Sequence, residues 1–158
     1  MSPDLDRINS ILDKLTLDSL TLMEKHIQSK LELEKCMSEG ESNLAKARYI
    51  KGQNAVSQLQ LPTEDSKEFN ALATVHRDKN SKLQEEVFDL EIRKATNEEN
   101  PLKWFGILIP QSMHKAQDDY KRSLHRVKES ANIQVQLHQT LSTMKQMKLL
   151  KKQIMCKE

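Results

Sequence analysis

The sequence predicts an all-α protein: a long antiparallel coiled-coil helical hairpin, with an additional middle helix and a short hydrophobic motif before the last helix. Three observations carry that expectation. Of 158 residues, 37% are apolar, 4% are aromatic and 30% are charged, against ~45–50% apolar and ~25% charged in average domains, so a deep two-layer core is excluded. Three glycines and four prolines cannot supply the turns of an all-β or α/β sheet. Apolar residues recur at helical spacing in two long stretches. The expected organisation is an N-terminal coiled-coil helix in 1–52, a variable linker with a helix over 66–95 in 53–99, and the motif with the C-terminal helix in 100–158.

The first helix starts near Pro3, whose missing N–H costs nothing in a first turn. Ile8, Leu12, Leu15 and Leu22 form one stripe, with Ser19 filling its gap, and Leu20, Met23, Ile27 and Leu31 form a second, adjacent one. The heptad phase slips between Leu15 and Leu20, which an irregular antiparallel pairing tolerates better than a regular zipper. Gly40 breaks or dents the helix, Asn43 to Ile50 reads as helix again, and Gly52 is its stop. Residues 53–67 read as linker, with Thr63 and Ser66, near Lys67, set to cap the middle helix.

Phe69, Leu72, Ala73, His76, Leu83, Val87 and Leu90 give the middle helical pattern. Thr96 to Asn100 is a polar break, and Asn100-Pro101 suits the start of a helical turn. Met113, Ala116, Tyr120, Leu124, Val127 and Ala131, continued by Leu137, Leu141 and Met144, describe a last helix over 111–152 that matches the first in length.

Charge and motif content argue against chemistry. Twenty-five basic and 23 acidic residues leave a net charge of +2. The distribution is uneven: residues 111–158 hold ten Lys/Arg against four Asp/Glu, a net of +6. That end could meet acidic protein, lipid headgroups or RNA, or be a solvated face. Cys36 and Cys156 are too far apart to suggest a disulfide framework or a zinc site. The five histidines are scattered singly and the glycines are isolated, so neither a metal cluster nor a phosphate loop is written in the chain. Asp118-Asp119 and Glu85-Glu86 read as solvated faces rather than acid–base pairs. No catalytic constellation, cofactor or specific nucleic-acid site is expected. No signal peptide is expected from the acidic stretch at residues 1–10, and the apolar run Trp104–Ile109 is far short of the ~20 residues that span a bilayer.

The informative stretch is Asn100 to Leu124. Trp104 and Phe105 are two of six aromatics in the chain, and Ile107, Leu108 and Ile109 come directly after, bounded by Gly106 and Pro110. Two roles are open: a plug closing the end of the hairpin, or an exposed anchor for a partner. Fully burying both rings would contribute on the order of 4–6 kcal/mol. The second feature is LAKARYIKG, Leu44 to Gly52, where small residues permit close helix approach; by pattern alone it is ordinary helix packing.

Together these stretches, LAKARYIKG (44–52) and NPLKWFGILIPQSMHKAQDDYKRSL (100–124), resemble the coiled-coil assembly factors of the vacuolar ATPase, the group of the yeast peripheral endoplasmic-reticulum factor and its animal coiled-coil-domain counterpart. The matching positions are Leu44 to Tyr49, Gly52, Pro101, Leu102, Trp104 to Leu108, Pro110, Ser112, Ala116 and Gln117. Met113 departs from the usual Leu, a volume-conserving change, and Tyr120 from the usual Phe. Residues 66–95 match nothing in the family.

The resemblance implies a non-enzymatic assembly chaperone for the membrane proton-conducting sector of the pump, required for organelle acidification. It implies two partners: a small transmembrane assembly factor and, transiently, the largest membrane-sector subunit. It places the chain on the cytosolic face of the endoplasmic reticulum, attached to membrane only through a partner, with the ER–Golgi intermediate and endolysosomal compartments as further sites. The expected partner-binding residues are Trp104, Phe105, Ile107, Leu108, Pro110, Arg48 and Tyr49. The alternative is a structural coiled-coil adaptor or tether unrelated to the pump.

Overall fold

The computed structural model describes residues 3–66, 68–80, 85–96 and 99–156. Of the positions expected to shape the middle of the chain, Lys67, Leu83 and residues 97 and 98 of the polar break lie outside the described residues. The order is helix α1 (Pro3–Lys51), two 3-10 turns (Asn54–Val56 and Gln58–Gln60), strands β1 (Ala73–Asn80) and β2 (Glu85–Ile92), a 3-10 turn (Pro101–Phe105) and helix α2 (Gln111–Met155). With 49 and 45 residues, the helices each span about 70 Å at ~1.5 Å per residue.

α1 runs unbroken through Gly40. Its interior carries no proline and is rich in Leu, Glu and Lys, which lose little rotamer freedom in a helix. It ends at Gly52, whose φ of +91° is left-handed and suits glycine; the Gly52 N–H donates to the Arg48 carbonyl at 2.8 Å.

The helices pair antiparallel. Asn43 Nδ2 donates to Asp119 Oδ2 at 2.8 Å, Arg122 meets Glu39 at 3.1 Å, and Arg126 meets Glu32 at 3.1 Å. One number falls as the other rises. Exposed ion pairs of this kind contribute at most about 1 kcal/mol each, but together they fix the register.

The expected phase slip is absent. α1 turns inward at Ile8, Leu12, Leu15, Ser19, Leu22, His26, Ser29, Leu33, Cys36 and Gly40, an unbroken alternation of threes and fours. Small residues occupy places where a leucine would be expected, so the stripe Leu20, Ile27 and Leu31 stays outside, each more than half exposed. α2 behaves alike: its buried positions include Met113, Ala116, Asp119, Ser123, Ser130 and Met144, whereas Leu124 and Val127 face outward. Serine, alanine, cysteine and glycine let the backbones come close but bury little apolar area. Among the described residues no large side chain is wholly shielded.

The middle segment corrects the all-α expectation. Among the described residues of 66–95 there is no helix; β1 and β2 make a two-stranded antiparallel sheet, pairing Ala73 with Ile92 through to Asn80 with Glu85. Phe88, Leu90 and Ile92 are half-buried while Val87, Asp89 and Glu91 are exposed, the period-two alternation of a strand with one covered face. Val87 and Leu90 mimic helical spacing, but only a strand places Phe88, Leu90 and Ile92 on one side. The hairpin docks on α2 through Asn132, whose Oδ1 accepts from the Phe88 N–H at 2.8 Å and whose Nδ2 donates to the Phe88 carbonyl at 2.9 Å. A two-stranded hairpin is marginal alone in water, so α2 supplies its support. Thr63 and Ser66 form a turn, with Ser66 Oγ accepting from the Thr63 N–H at 2.9 Å, and cap no helix.

Candidate functional site

The antiparallel pairing carries the end of α1 to the start of α2, so the two family-like stretches meet at the closed end. Ala47, Val56, Leu102 and Met113 form a buried cluster, with Leu44, Phe105 and Ile109 packed against it. Val56 comes from the segment expected to be plain linker, and it locks the first turn after α1 onto the hairpin. Arg48 Nε donates to the Val56 carbonyl at 3.3 Å, which draws the guanidinium toward that turn.

The motif is built by local chemistry. Asn100 caps the 3-10 turn: its Oδ1 accepts from the Leu102 N–H at 3.1 Å and from Gln117 Nε2 at 3.2 Å, tying the cap to α2. Pro101 comes next, where a missing N–H is harmless. Gly106 has φ +103°, which a side chain would strain. A Cβ there would also approach Lys51 Nζ to 3.3 Å. Lys51 Nζ donates to the Phe105 carbonyl at 2.7 Å, joining the last residue of α1 to the last residue of the turn. Pro110 is half-buried, in extended geometry at φ −65° and ψ 149°, and starts α2.

This geometry divides the expected site residues. Phe105, with Leu102 and Ile109, closes the hairpin. Trp104 is half-buried, and its ring meets that of Phe69 edge-on at 5.2 Å and 63°, a favoured aromatic geometry. Ile107 and Leu108 do the opposite: they are 99% and 85% exposed. Tyr49 is 93% exposed on the adjoining end of α1, near Ile50 in sequence, which also faces solvent. The plug and the anchor are therefore neighbouring residues of one motif. Sequence reasoning misses Phe69 and Val56 as members of this end. Phe69 sits in the variable segment, and only its aromatic character hints at a role.

Beside Trp104 lies an open cleft of about 580 Å³, lined in part by Leu61, Pro62, Glu68, Phe69 and Glu99. Further along the seam, Asp119 is nearly buried and bonded to both Asn43 and Arg122. Burial works to raise its pKa, but the hydrogen bonds from Arg122 and Asn43 and the charges of Arg122 and Lys115 outweigh it. The carboxyl is held below the usual range. Its partners identify it as a structural tie between the helices. Among the described residues, no group of three His, Cys, Asp or Glu is placed to hold a metal ion.

Fold and site together define an elongated two-helix hairpin that presents an apolar motif at its closed end. Proteins of known name are similar to it in sequence. The chain is 26% identical to the Vacuolar ATPase assembly protein VMA22 of Mus musculus over 150 residues, covering 80% of this chain and 83% of that protein. It is 28% identical to the protein of that name from Homo sapiens over 146 residues, covering 78% and 81%. The Danio rerio protein is 25% identical over 189 residues, covering 92% and 90%. No protein-family model matches the chain. The resemblance read from the two motifs thus extends, at about 25% identity, over most of the chain.

Proposed function

We propose that this chain is a non-enzymatic assembly factor of the vacuolar-type proton ATPase, and that the closed end of its hairpin is the surface that engages its clients. The observation that carries the reading is the likeness, over most of the chain, to proteins named for assembly of that pump. The geometry supports it. Exposed aliphatic side chains on a braced motif give up little conformational entropy on binding, which favours an anchor.

The finer reading is that the chain works on the cytosolic face of the endoplasmic reticulum beside a small transmembrane assembly factor. There the pair shelters the proton-conducting membrane sector, above all its largest subunit, before export, and organelle acidification depends on it. No described helix is long and apolar enough to cross a membrane, which is compatible with peripheral attachment.

The test is purification of the tagged chain from gently solubilised internal membranes, and then identification of the proteins that accompany it. A small transmembrane factor with membrane-sector subunits, and without the cytosolic ATPase sector, is expected. A second reading, a coiled-coil adaptor, has one observation in its favour: the exposed stripe Leu20, Ile27 and Leu31 along α1. Recovery of the chain with itself and filament proteins alone would favour that reading.

A further inference from the structure

We propose that the basic face at the end of α2 is a docking surface for an anionic lipid bilayer. Leu141, Lys145, Lys148, Lys152 and Met155 recur at intervals of four and three and so share one side of the helix, with Leu149 beside them. The seam runs along the adjoining side, about 100° round the helix, where Met144 is buried and Met147, Lys151 and Ile154 are half-buried. Lys145, Lys148 and Lys152 are exposed, and Leu141, Leu149 and Met155 are exposed by 40%, 53% and 59%.

The charge here is one-sided. From Ser130 to Cys156 the chain has no aspartate or glutamate. The antiparallel stretch of α1, residues 3–18, brings four aspartates against Arg7 and Lys14, a net of −2, set against +4 from Lys145, Lys148, Lys151 and Lys152. This half of the hairpin therefore stays positive. Among the described residues none of these lysines is held in an ion pair.

Lysines flanking exposed leucine and methionine fit an acidic membrane interface. The ammonium groups reach the headgroups while their stems and the apolar side chains enter the acyl boundary. Nucleic acid fits less well, because no aromatic residue lies beyond Tyr120 to stack on bases. This contact adds a direct lipid attachment to the one expected through a partner, at the end of the hairpin opposite Trp104.

Flotation of the full chain with phosphatidylcholine vesicles, with and without phosphatidylserine, tests the proposal. Binding to the serine-containing vesicles alone is expected, weakening as salt rises. A lysine near such a surface contributes about fivefold in affinity, so the triple variant Lys145→Gln, Lys148→Gln, Lys152→Gln should bind about a hundredfold more weakly. Leu149→Ser, which keeps every charge, should also weaken binding. Both variants should remain helical by circular dichroism, since the substituted positions are exposed. Equal binding to both vesicle types, or full binding by the folded triple variant, would overturn the proposal. So would absence of vesicle binding with lysine-dependent binding to single-stranded RNA.

Discussion

The Lys51 ammonium reaches across the closed end to the Phe105 carbonyl, 2.7 Å away and 54 positions on in sequence. It binds the end of α1 to the apolar motif and sits where a Cβ on Gly106 would intrude. Hydrogen bonds from charged groups contribute about 1.5–3 kcal/mol, and partial exposure lowers that. Lys51→Met should destabilise the chain by about 1–2 kcal/mol with helicity unchanged. It should also speed amide exchange in residues 105–109 selectively, which hydrogen-exchange mass spectrometry reads.

Asp119 makes the hairpin sensitive to acid. Its folded pKa lies below the ordinary value, near ~3.9 in an unfolded chain. The stability it contributes is therefore complete above that value and is lost as the pH falls through the folded pKa. Asp119→Asn should cost about 1–2 kcal/mol at neutral pH, as a charged hydrogen bond becomes a neutral one. The gap from wild type should close in strong acid. Urea midpoints at the two pH values measure it.

Gly40 and Tyr120 are coupled by space. A Cβ at Gly40 would lie 3.2–3.3 Å from three ring carbons of Tyr120. Alanine in a helix interior is favoured over glycine by about 1 kcal/mol, but here the ring must yield. Gly40→Ala should be near neutral in the wild-type chain and stabilising by about 1 kcal/mol when Tyr120 is also alanine. A double-mutant cycle by thermal or urea unfolding checks this non-additivity.

The two-stranded sheet hangs on Asn132. Replacing it by Ala removes both hydrogen bonds to the Phe88 backbone. Amide protection over residues 87–92 should fall by about tenfold or more, the equivalent of ~1.4 kcal/mol, while circular dichroism of the two long helices stays the same. Loss of helicity along with the sheet would contradict the view that the sheet is an appendage of α2.

The sequence made the two long helices, their antiparallel order and the importance of residues 100–110 legible, because these rest on periodicity, on proline and glycine, and on a rare pair of adjacent aromatics. The inward stripe Ile8, Leu12, Leu15 and Leu22, with Ser19 in its gap, was legible too, but not how the seam continues. Beyond it the seam passes through Ser29, Cys36, Gly40, Ser123 and Ser130, which carry little apolar signal, so Leu20, Ile27, Leu124 and Val127 look like core while facing water. The strands were concealed differently: Val87 and Leu90 satisfy helical spacing, while Phe88, Leu90 and Ile92 satisfy strand spacing, and contact with α2 decides between them. At the closed end, adjacency in sequence hid the division of labour, since Gly106 turns the chain between Phe105, which packs, and Ile107, which does not.

The most direct test of the central claim replaces the chain in cells by the variant Ile107→Ser with Leu108→Ser and measures assembly of the proton pump. The readouts are the membrane-sector content of organelles and their acidification. Both side chains are exposed, so the stability of the purified variant should lie within about 0.5 kcal/mol of wild type. Normal levels of a folded variant, with depleted membrane sector and poorly acidified organelles, are the expected result. Normal assembly and acidification with this variant would contradict a client-binding role for the closed end.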